Sequence, residues 1–309
     1  VQWRLKKPPV KERGQKMNTP LIGINGLIKI KPEQLEASLE AIRGFGFDCM
    51  EFNLASIPLI AHGEPVEPYV DYVRGIFERS PLKITGHIGE GLDLRNLREP
   101  ALHKSVLAAS IDVCARLGID RLTLHFSKAS PILKEEEAFF EAHAEAADYA
   151  ASRGVLLLME NIEIEDYRKV IDMVRRMNHD NFKMTLDIGH LYLSVRYFGG
   201  DFLQAVRECA PLVRHTHIND NTGRFEPMRL ENFALYKTLH MGTRTALGSG
   251  DIHLPPLWGK IPIREAVEIL RGAGFDGIFL CEYENDLYMP FGEKIQQDMR
   301  RLVGEVYGG

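Results

Sequence analysis

Seven near-continuous apolar runs recur along the chain, and each ends in a residue able to bind a metal or move a proton. They read MEF at Glu51, KITGH at His87, LTLH at His125, VLLLME at Glu160, MTLDIGH through Asp187, VRHTH at His217 and GIFLCE at Glu282. Unbroken hydrophobicity predicts strands covered on both faces, as in a parallel sheet. Between the runs lie helical patterns, such as the stripe Leu102, Val106, Ala109, Val113 and Leu117. A glycine follows several of these patterns, in Gly46-Phe47-Asp48, Gly118-Ile119-Asp120, Gly154-Val155 and Gly274-Phe275-Asp276. Glycine there supplies the left-handed cap that ends a helix before the chain enters a strand. These glycines are separated by near-multiples of ~36 residues, the length of one strand–helix unit. Eight such units use about 290 residues, which predicts a single α/β domain, a (β/α)8 barrel over residues 20–309. A doubly wound sheet fits less well, because no glycine-rich phosphate fingerprint follows the first strand.

Two segments depart from the rhythm. Residues 1–19 are basic, contain proline and lack periodicity, which predicts a solvated N-terminal arm. After the seventh strand, more than forty residues rich in Asn, Gly, Arg and Pro separate His217 from the helix near Ile263. A loop of that length inside a compact domain reads as a substrate cover.

Asp+Glu number 43 and His 11 among 309 residues, roughly one in six. Composition alone therefore does not place such a group on seven strands in turn. In a closed barrel these residues gather at the carboxyl mouth, where barrel enzymes keep their chemistry. The net charge of -5 speaks against a nucleic-acid partner. No stretch has the length of a membrane span. Cys49, Cys114, Cys209 and Cys281 show no paired spacing, as expected of reduced, buried thiols in a cytoplasmic protein. His62, His103, His143 and His179 fall in loops or on helix surfaces, where exposure is expected.

Glu160 and Asp187 close adjacent apolar runs, and a buried carboxylate stays ionised only beside a metal, a cation or a dense hydrogen-bond network. The predicted strands carrying Glu160, Asp187, His217 and Glu282 supply no Lys or Arg at that height. In order and spacing, ENIE from Glu160, LDIGH from Leu186, HTHIND from His215, GSGDI from Gly248 and GFDGIFLCEY from Gly274 resemble the xylose isomerase-like TIM barrel superfamily. That group includes sugar and sugar-phosphate isomerases and epimerases, dehydratases and endonuclease IV-type nucleases.

The resemblance implies a divalent metal site at Glu160, Asp187, His217 and Glu282, with His215 beside it. Such an oxygen-rich shell favours Mn2+ or Mg2+ and tolerates Zn2+ or Co2+. It also implies that His87, His125 and His190 bind substrate or a second ion. Glu51, Asn219, Asp220, Arg224 and His240 are candidates for substrate contact. Arg224 follows His217 by seven residues, one more than the anchoring arginine of the family's epimerases. The expected reaction is isomerisation or epimerisation of a small sugar, sugar phosphate or related keto compound, with Glu160 and Glu282 as acid and base. The alternative is a metal-dependent hydrolase or lyase of the same superfamily. Its nuclease members place an Asp-x-His in the loop after the seventh strand, whereas here Asp251-Ile252-His253 lies further on, inside the GSGDI segment. The expected partner is a small molecule, with a homo-oligomer possible.

Overall fold

An eighth strand at Leu21–Asn25 joins the seven apolar runs and closes them into a ring, in a computed structural model that describes residues 19–27, 30–89 and 91–308. The predicted arm lies, but for Thr19, outside the described residues. The barrel strands are β1 (Leu21–Asn25), β2 (Cys49–Asn53), β3 (Lys83–Ile88), β4 (Arg121–His125), β5 (Leu156–Glu160), β6 (Phe182–Asp187), β7 (Val213–Ile218) and β8 (Ile278–Cys281). Each pairs in parallel with its neighbours in sequence, and β1 pairs with both β2 and β8. The chain is thus a closed eight-stranded parallel barrel wrapped by helices, a (β/α)8 fold.

The glycine caps behave as their sequence context predicts. Gly46, Gly118, Gly154 and Gly274 all have positive φ, from 72° to 90°. At Gly154 the N–H closes the helix Leu133–Arg153 by reaching back to Ala151 O, and the next residues enter β5. Outward-facing strand side chains such as Phe182 and Phe279 are fully buried under the helices. Each such burial contributes about 1.5–3 kcal/mol. The barrel interior is unusually polar: the Thr123 and Thr185 hydroxyls meet at 2.9 Å, and Thr85, His215 and Glu51 are buried too.

Three local outcomes differ from the sequence pattern. Glu51 sits in the middle of β2 rather than at its end, laterally paired with Thr85, so it lies below the mouth. His143, expected on a helix surface, is only 3% exposed and hydrogen-bonds through Nδ1 to Phe139 O. Burial there pushes its pKa down to about 4, so it packs as a neutral ring against Phe139. Two helices, Ile188–Phe198 and Phe202–Cys209, follow β6 where a single one was expected. All four cysteines are buried and free. Among the described residues, no helix is long and apolar enough to cross a membrane.

The long excursion after β7 contains three short helices, Met228–Glu231, Phe233–Tyr236 and Met241–Leu247. Its return is pinned beside its start by two backbone hydrogen bonds between Asp220 and Leu254, each 2.9 Å. That pinning carries residues 251–253 back over the mouth.

Candidate metal centre

Glu160, Asp187, His217 and Glu282 come from β5, β6, β7 and the end of β8, and one ligand atom of each lies within 4.8 Å of the others. His217 Nδ1 is 3.2 Å from Glu160 Oε1, 3.2 Å from Glu282 Oε2 and 4.0 Å from Asp187 Oδ2. Asp187 is held from several sides. It caps the following helix by accepting from His190 N at 2.6 Å, accepts from Asn219 Nδ2 at 2.9 Å, and its backbone is bracketed by the Asn161 amide. Asn219 therefore orients a carboxylate at this centre.

The other oxygen of Glu160 faces a second group. Glu160 Oε2 is 3.2 Å from His87 Nε2 and 3.4 Å from His125 Nε2, and the two imidazole nitrogens are 3.0 Å apart. A third group forms where the excursion returns. His190 Nε2 is 3.3 Å from Asp251 Oδ2, and His253 Nε2 is 2.9 Å from the same oxygen. His190 Nδ1 meets the Asn161 carbonyl at 3.0 Å, which turns Nε2 toward Asp251. The Asp-x-His that seemed displaced along the sequence is thus delivered to His190 by the Asp220–Leu254 pairing. Only the length of the excursion hid it.

Above these groups opens a cavity of about 460 Å³, lined in part by His87, His125, His190, Asp251, His253 and Glu282. Glu160, Asp187 and His217 lie behind those side chains, fully buried, and do not line the cavity. Glu163, Glu284 and Asp286 add acidity to the wall, and Arg229 is bonded to Glu163 at 2.8 Å.

The structure does not bring every candidate to this cavity. Arg224 is exposed and donates to Leu247 O, and His240 is exposed and caps the helix Met241–Leu247. Asp220 is buried but accepts from Asn221 N and Ile261 N, bracing the excursion. Glu51 contacts His215 and His217 instead of the cavity.

Burial opposes charge on every group here, and the partners decide the outcome. Burial favours neutral Glu160, but the charges of His217 and His125 and hydrogen bonds from His190 and His217 hold its pKa well below the usual range. Glu282, likewise opposed by burial, is held at about 2 by His217. Asp187 is pushed up to about 8 by burial, with Glu282 and Glu160 adding repulsion. His190 and His217 are raised well above the ordinary value by surrounding carboxylates, despite burial, and His253 reaches about 10 beside Asp251. Protonated imidazoles thus supply the positive charge that this cluster of acids requires.

The donor set fits a divalent ion. Asp251 Oδ1 is buried without a hydrogen-bond partner among the described residues, an arrangement that is costly unless a cation is the partner. Three carboxylates and an imidazole suit a hard or borderline ion.

The sequence matches the xylose isomerase-like TIM barrel family over residues 39–303, and the chain belongs to that family. No curated protein matches it. Its fold is similar to that of a D-tagatose 3-epimerase-like protein, at 17% identity and TM-score 0.68, over 93% of this chain and 98% of the other. A xylose isomerase-like TIM barrel protein from Mycobacterium smegmatis in complex with magnesium gives 16% identity and TM-score 0.69, over 94% and 98%. An L-ribulose 3-epimerase gives 16% and 0.65, over 94% and 95%. At such identities the likeness establishes a shared fold.

Proposed function

We propose that this chain is a divalent-metal-dependent enzyme of the isomerase or epimerase type, acting on a small polyhydroxylated carbonyl compound. The convergence of Glu160, Asp187, His217 and Glu282 beneath a cavity at the barrel mouth carries this reading. A cavity of about 460 Å³ suits a small molecule. The epimerases of similar fold support the same class. An ion held by the four side chains would stabilise negative charge that develops on substrate oxygens.

The protein's own groups divide the proton work unequally. Glu282 lines the cavity and is placed to take or return a proton at the substrate carbon. Glu160 is sealed from the cavity, so it exchanges protons through His87, whose Nε2 stands 3.2 Å from Glu160 Oε2. In Glu282→Gln, solvent deuterium incorporation at the substrate carbon should be lost with the fold intact. Unchanged exchange in that variant would refute the assignment.

A second reading is favoured by one specific observation. His87 and His125 converge on the second oxygen of Glu160, and Asp251 and His253 converge on His190. Proton transfer with a single ion does not require these additional groups, whereas hydrolysis of a small phosphoester benefits from several ions around the phosphoryl oxygens. Phosphate release from simple esters, with more than one ion bound per chain, would select this reading. One ion per chain with no phosphate release would exclude it.

A further inference from the structure

Beneath the centre, Glu51 lies between two histidines of β7. Its Oε1 is 3.1 Å from His217 Nε2, and its Oε2 is 3.2 Å from His215 Nε2. Side chains alternate along a strand, so His215 and His217 both point into the barrel, one layer apart. Glu51 reaches them across the interior from β2. All three are buried, with His215 and His217 fully so.

We propose that Glu51 is a positioning residue, whose carboxylate fixes the His217 ring so that Nδ1 presents its lone pair to the ion, while His215 steadies Glu51 from below. This rests on the metal-dependent reading above, but concerns how the ion is held rather than which reaction follows.

The argument is one of donors and acceptors. A neutral imidazole has one N–H and one lone pair. His217 Nδ1 faces Glu160 and Glu282, so a bound ion there requires the lone pair on Nδ1 and the proton on Nε2. Glu51 is the buried acceptor for that proton. Carboxylates commonly orient metal-binding histidines in this way, and their loss typically weakens binding about 10- to 100-fold.

Glu51, His215 and His217 are themselves near enough to hold a cation. His217 has a single lone pair, however, and Nδ1 meets more carboxylates than Nε2 does. The ion therefore belongs on the Nδ1 side. His215 Nδ1 has no partner, so that ring can change tautomer without breaking a bond. A glutamine at position 51 is then tolerable: its oxygen accepts from His217 and its amide donates to His215.

Mn2+ affinity, measured by competition with a chelator, tests the proposal together with the thermal midpoints of the ion-free proteins. Glu51→Leu should bind Mn2+ about 10- to 100-fold more weakly than wild type, and Glu51→Gln should recover most of the loss. Equal affinity in Glu51→Leu and wild type, or equal weakness in both variants, would overturn it. Histidine 15N spectra of the Zn2+-loaded wild type give a test that needs no variant. His217 should appear metal-bound at Nδ1 and protonated at Nε2, and the opposite tautomer overturns the proposal. A wild type that takes up no ion defeats both this inference and the functional reading. An ion held equally well without Glu51 defeats this inference alone.

Discussion

His190 and Asp251 stand 3.3 Å apart, side chain to side chain, although sixty-one residues separate them in the chain. One comes from the first turn of the helix after β6, the other from the return of the long excursion. Asp251→Asn combined with His253→Ala should release an ion held by this group while leaving the one at Glu160, Asp187, His217 and Glu282. Elemental analysis after graded Zn2+ loading reads the difference. Identical ion content in wild type and variant would remove the support for a multi-ion hydrolase.

Gly189 leaves room for the asparagine that orients Asp187. A Cβ at position 189 would overlap Asn219 Oδ1, and Asn219 donates to Asp187 Oδ2 at 2.9 Å. Gly189→Ala should therefore destabilise the fold by about 1–3 kcal/mol and also weaken ion binding. Denaturant melts with and without Mn2+ separate the two effects.

Arg224 and His240 lie on the outer surface of the excursion. Arg224→Ala and His240→Ala should leave kcat/KM essentially unchanged and shift stability by no more than about 0.5 kcal/mol. A large rise in KM for either would mean that the excursion rearranges over bound substrate.

The ion-free protein should lose stability as pH rises. Asp187, raised mainly by burial from 3.8 to about 8, and His253, raised from 6.5 to about 10 by Asp251 against burial, bind protons more tightly when folded. Stability from such groups is complete below their unfolded pKa values and disappears as pH climbs through the folded ones. The thermal midpoint of the ion-free protein should thus fall between pH 6.5 and 10. Saturating Mn2+ should flatten that fall, because binding displaces the same protons. A midpoint that rises over this range would contradict the assignment.

Much of this was legible in the sequence because barrel strands announce themselves twice, by unbroken apolar runs and by glycine caps. Glu160, Asp187, His217 and Glu282 each close, or nearly close, such a run, but so do His87 and His125; the resemblance of ENIE, LDIGH, HTHIND and GFDGIFLCEY is what singled out the four as candidate ligands. Glu51 looked equivalent, yet β2 continues two residues past it to Asn53 and leaves it a layer deeper. Asp251 and His253 carry no periodic signal at all. Their place depends on the backbone pairing of Asp220 with Leu254, a contact across a loop that local pattern does not encode. His143 was hidden for a related reason: Phe139, one turn earlier, supplies its acceptor and a tilted ring to pack against, and polarity alone suggested the surface.

Equilibrium dialysis against Mn2+, comparing wild type with Asp187→Asn and Glu282→Ala, addresses the metal centre most directly. At least one tightly held ion per wild-type chain is expected, with that ion lost or greatly weakened in both variants while their ion-free folds persist. A wild type that retains no ion, or variants that retain as much as wild type, would show that these side chains do not form a metal site.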